Sequence, residues 1–185
     1  MEQMIQKKKI DLPREALWVL LTVVGAVLIP QILHGLGILL GIGGSLGQML
    51  LPMYLPVMIL GFYRGPWVGA IAGVLAPQVS FIVSGMPARG VLAFITLELV
   101  MIGAFSGVFA VCKIPAVLRV LSVQVAAKGV RLVAFAVSAW IANGSFPAAS
   151  DLFSGILQSI PGYCLQILVM LYLLNRKEQP SHEQD

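Results

Sequence analysis

The sequence predicts an all-α fold, an integral membrane bundle of six transmembrane helices with N- and C-termini cytoplasmic. Three observations lead there. Of 185 residues, 58% are hydrophobic and only 11% charged, against about 25% charged in a soluble domain. Mean hydropathy is +0.93, and the charges gather at the ends and in short connections. Apolar stretches near the length needed to cross a bilayer, about 17–25 residues, recur along the whole chain.

Taken in order, the first apolar run covers 16–33, with Pro30 near its end. The lysines Lys7, Lys8 and Lys9 before it resemble the start of a signal peptide, but further runs follow and it reads as a retained helix. A glycine-rich stretch at 35–47 reads as a loop or a broken helix. The second run, 46–62, contains Pro52 and Pro56 and ends in the turn Tyr63-Arg64-Gly65-Pro66. The third, 67–83, is broken by Ser84-Gly85-Met86-Pro87. The fourth, 91–111, leads into a basic connection at 113–119. The fifth, 120–141, stops at Asn143-Gly144-Ser145-Phe146-Pro147, and the sixth covers 152–174. The chain thus divides into a cytoplasmic N-terminal segment (1–15), the six-helix transmembrane domain (16–174) and a polar cytoplasmic tail expected to be disordered (175–185).

Six crossings with the N-terminus inside place Lys7, Lys8, Lys9, Arg14, Arg64, Lys113, Arg119, Arg176 and Lys177 in the cytoplasm, and only Arg89 outside. Cytoplasmic loops of membrane proteins carry an excess of Lys and Arg, so this bias sets the orientation and supports the helix count. It also accounts for the net charge of +4 without nucleic acid. The expected location is the plasma or inner membrane, crossed several times.

Charges inside apolar runs are expensive and usually face the bundle interior. Glu98 and Arg131 are such charges, and at a rise of about 1.5 Å per residue they sit close enough in depth to form a buried ion pair. Lys128, one turn closer to the cytoplasm, reads as a side chain that snorkels toward the interface. Polar groups also collect at the outer helix ends. His34, Gln48, Glu98, Asn143, Gln158 and Tyr163 are the candidate ligand contacts, in a pocket of the outer half covered by the 35–47 loop and the 84–89 turn. Converging amides and hydroxyls suit a neutral or mildly charged organic ligand. The pairs Gly69/Gly73 and Gly103/Gly107 permit close helix approach, either within the chain or against another membrane subunit.

Several chemistries are excluded. The sequence holds no phosphate-binding loop, zinc-protease helix or serine elbow. Cys112 and Cys164 lack metal-ligand spacing, and His34 is the only histidine outside the tail. No catalytic residue, metal or cofactor is expected.

One set of stretches carries a resemblance. These are Ile29 to Gly37 (IPQILHGLG), Leu51 to Val57 (LPMYLPV), Gly61 to Pro66 (GFYRGP) and Ser84 to Pro87 (SGMP). Glu98 with Gly103 to Gly107, Arg131 to Val133, and Pro161 to Gln166 (PGYCLQ) complete it. In order and spacing they resemble the substrate-binding S components of energy-coupling factor transporters. The resemblance implies a non-enzymatic subunit that captures a water-soluble vitamin or vitamin precursor at the outer face. It implies as partners a transmembrane coupling protein and two cytoplasmic ATPases. The family's alanine pair facing the coupling protein has its nearest match in Thr22 and Ala26; Val130 and Ala88 stand where relatives often carry glycine and proline. The alternative is a small homo-oligomeric secondary transporter or channel subunit, which would need a mid-membrane carboxylate such as Glu98.

Overall fold

A computed structural model of the chain describes residues 11–41, 52–145, 157 and 159–178. Among them are six helices: α1 (Leu12–Leu39), α2 (Tyr54–Arg64), α3 (Pro66–Ser84), α4 (Arg89–Phe109), α5 (Ala116–Asn143) and α6 (Ile160–Glu178). Four of these, α1, α3, α4 and α5, are long and apolar enough to cross a membrane. The described residues are all-helical, and the length and apolar composition of these helices are those of a membrane protein. Many large apolar side chains point outward, among them Leu20, Leu28 and Ile32 on α1 and Val125 and Val133 on α5. A soluble surface does not tolerate such a display over whole helices, whereas lipid does.

Breaks in the chain follow local chemistry. Pro66 occupies the first turn of α3, where its missing N–H is not needed. Helices α3 and α5 end on Gly85 and Gly144, both left-handed at φ 71° and 68°, the usual helix stop. Three expectations from sequence change. Helix α1 does not stop before the glycines but continues through Pro30, Gly35 and Gly37 to Leu39. A helical glycine costs about 1 kcal/mol relative to alanine, yet an unpaired backbone group in hydrocarbon costs several, so the helix persists. The rest of the glycine-rich stretch, 42–47, lies outside the described residues. Helix α6 likewise runs past residue 174 to Glu178, into the stretch expected to be disordered. The basic connection shortens because Arg119 joins α5, with its Nε donating to the Ile114 carbonyl at 2.8 Å.

The centre of the bundle is a glycine seam between α2, α3 and α4. A Cβ added at Gly73 would meet the backbone of Leu99, one at Gly103 the backbone of Gly69, and one at Gly107 that of Gly65 and Pro66. These pairings run in opposite chain directions, so α3 and α4 are antiparallel with backbones in contact. Gly61 of α2 fits against Gly103 and Ser106 in the same way. All four predicted small residues, Gly69, Gly73, Gly103 and Gly107, therefore serve packing within the chain. Val57, Met58, Ala72, Ala76 and Leu99 fill the core around the seam.

At the C-terminal end of α2, Arg64 closes on α1. Its guanidinium donates to Glu15 at 2.9 and 2.5 Å and lies 5.6 Å from the Trp18 ring centroid. That bidentate clamp fixes the antiparallel pairing of α1 and α2.

Candidate functional site

Four helices place polar side chains at one point inside the apolar bundle. Glu98, midway along α4, is 1% exposed. Its Oε2 accepts from Arg131 Nη1 of α5 at 2.5 Å and from the Tyr54 hydroxyl of α2 at 2.9 Å. Its Oε1 forms an ion pair with Lys128 of α5. Lys128 Nζ in turn lies 5.2 Å from the ring centroid of Tyr163 on α6. The Tyr163 hydroxyl is buried and has no hydrogen-bond partner among the described residues.

The register of α5 explains how two cations reach one carboxylate. Gln124, Lys128 and Arg131 recur at four- and three-residue spacing, which stacks them on one helical face. Gln124 Nε2 donates to Gln166 Oε1 of α6 at 3.2 Å, so this face is polar from Gln124 to Arg131. Lys128 does not snorkel: a buried carboxylate within reach outweighs extension toward the interface. Lys128 and Arg131 keep 15% and 31% of their side-chain surfaces exposed. Glu98 is sealed while the cations are partly open.

The predicted contacts separate into three groups. Glu98 and Tyr163 meet at this cluster, and Arg131, predicted to pair with Glu98, is there too. His34 is half-buried on the last turns of α1, and Asn143 is exposed at the end of α5; neither belongs to the cluster described here. Gln48 and Gln158 lie outside the described residues. Two members were missed. Lys128 was legible from its three-residue spacing to Arg131. Tyr54 lies in the Leu51 to Val57 stretch that carries the resemblance, but nothing there singled it out as a contact.

A second feature lies along α1. A groove of about 540 Å³ is lined by Trp18, Thr22, Gly25 and Ile29 of α1, by the α2 face from Leu55 to Arg64, and by Leu173 of α6. Thr22 borders it, but Ala26 is fully buried in the bundle and faces inward. The two members of the expected docking pair thus part: Thr22 lies at the surface, Ala26 in the core.

No family model, curated protein or solved structure matches the chain.

Proposed function

We propose that the chain is a substrate-capture subunit of an energy-coupling factor importer, binding a water-soluble vitamin or precursor and itself carrying out no chemistry. The observation that carries the reading is the polar cluster of Tyr54, Glu98, Lys128, Arg131 and Tyr163 inside an otherwise apolar bundle. Ionisable groups at membrane depth mark substrate pathways and binding sites by default. The cluster lies at mid-depth, near the centres of α4 and α5, and the tyrosines reach it from the first turns of α2 and α6.

Import by such a subunit needs a coupling partner, and the α1 groove suits one. It is apolar, lies on the bundle surface, and has Thr22 and Gly25 on its wall, small residues that allow close helix approach. Glu98 is less suited to ion-coupled secondary transport, because both its oxygens are already held by cations.

The test is co-purification from native membranes in mild detergent. A coupling protein and two ATPase subunits should accompany the tagged chain, and Gly25→Trp should release them while leaving the bundle folded. Recovery of the chain without any ATPase would reject this reading.

A further inference from the structure

We propose that the face formed by Arg131, Lys128 and Tyr163 binds an anionic group, a carboxylate or a phosphate. That the anion belongs to a captured solute, not a lipid, rests on the function proposed above. The argument begins with charge. Glu98 carries one negative charge and faces two cations. Among the described residues no second acidic side chain answers the remaining positive charge. An unpaired charge at this depth is costly, and the cost is offset when an anion arrives. A neutral ligand would leave the charge standing, and a cationic one would add to it.

The donors point the same way. Both oxygens of Glu98 are engaged, Oε1 by Lys128 and Oε2 by Arg131 and Tyr54. Arg131 uses Nη1 for Glu98 and leaves the rest of its planar fork, and about a third of its surface, open. That fork matches the two oxygens of a carboxylate or phosphate. The Tyr163 hydroxyl is buried with no hydrogen-bond partner among the described residues, and such a group is normally satisfied in the working state. Because its ring lies against Lys128, one anion can reach all three. The site is midway along α4 and α5, deeper than a lipid headgroup ordinarily sits, which favours a soluble anion.

The experiment uses the full chain in phosphatidylcholine nanodiscs, with a parallel set that contains phosphatidylglycerol. Its thermal unfolding midpoint is followed against inorganic phosphate and three acid/neutral pairs: nicotinate and nicotinamide, pantothenate and panthenol, biotin and biotinamide. A ligand that binds only the folded state raises the midpoint with its concentration. At least one acid should do so, with an apparent affinity about tenfold or more above its neutral partner, as expected for a charge-assisted contact. Arg131→Gln should abolish the effect. Arg131→Lys and Tyr163→Phe should each weaken it, and they carry the comparison if Arg131→Gln does not fold. A neutral partner acting as strongly as its acid overturns the anion site but leaves solute capture standing. An effect from phosphatidylglycerol in the disc alone, lost in Arg131→Gln, keeps the anion site and removes solute capture. No effect in any arm overturns the anion site.

Discussion

The two sides of this bundle are held together by opposite means. Between α2, α3 and α4 the contact is backbone against backbone, made possible by Gly61, Gly69, Gly73 and Gly103. Between α4, α5 and α6 it is made by long polar side chains: Glu98 with Lys128 and Arg131, Gln124 with Gln166. The first side has no room for an added methyl group. On the second, Gly129 has nothing within 4 Å of an added Cβ, and α5 buries only Val120, Val123 and Ala127. Close-packed interiors transmit strain and do not yield. A site that must admit and release a molecule is better built where side chains, not backbones, meet. The glycine side serves as scaffold, and the α5 face is the one proposed to meet a ligand.

Substitutions test that division, and the largest effect is expected at the shared residue. Glu98→Gln leaves the half-buried Lys128 and Arg131 without a counter-charge and should approach the cost of about 3–5 kcal/mol of breaking a fully buried pair, measured by unfolding in mixed micelles. A loss below about 1 kcal/mol would mean that the carboxylate does not hold the cluster together. Next comes the seam. Gly103→Ala drives a methyl into the Gly69 backbone, which cannot turn aside as a side chain can, and should cost about 1–3 kcal/mol. A neutral result would show the helices free to separate. Smaller still is Arg131→Met. It leaves Glu98 paired with Lys128 and the cluster neutral, so the loss should be about 1 kcal/mol or less, since well-packed apolar replacements of buried charges are often tolerated. If removing the arginine costs as much as removing the carboxylate, the excess positive charge is not there. The smallest change is Gly129→Ala, which meets open space and should stabilise α5 by about 0.5–1 kcal/mol through helix propensity. Destabilisation would place an undescribed contact on that face.

What the sequence revealed follows from what each signal costs to hide. Apolar runs and polar breaks locate the helices because a bilayer tolerates little else. Glu98 and Arg131 stood out because charges at that depth need a partner, and their depths matched. Lys128 was misjudged because its long stem can reach either the interface or the interior, and only packing decides. Tyr54 was harder to weigh, since a tyrosine fits apolar surroundings and its hydroxyl betrays nothing until a carboxylate lies beside it. The glycines at 35 and 37 misled in the other direction. Read by solution propensities they end a helix, and the membrane reverses that balance.

The central claim is that the open cations on α5 hold a captured anion. Its most direct test is mass spectrometry of small molecules retained by the chain through gentle purification, with wild type and Arg131→Gln handled in parallel. Wild type should retain a water-soluble molecule bearing a carboxylate or phosphate, and the variant should lose it. Retention of a neutral molecule in equal amount by both proteins would contradict it.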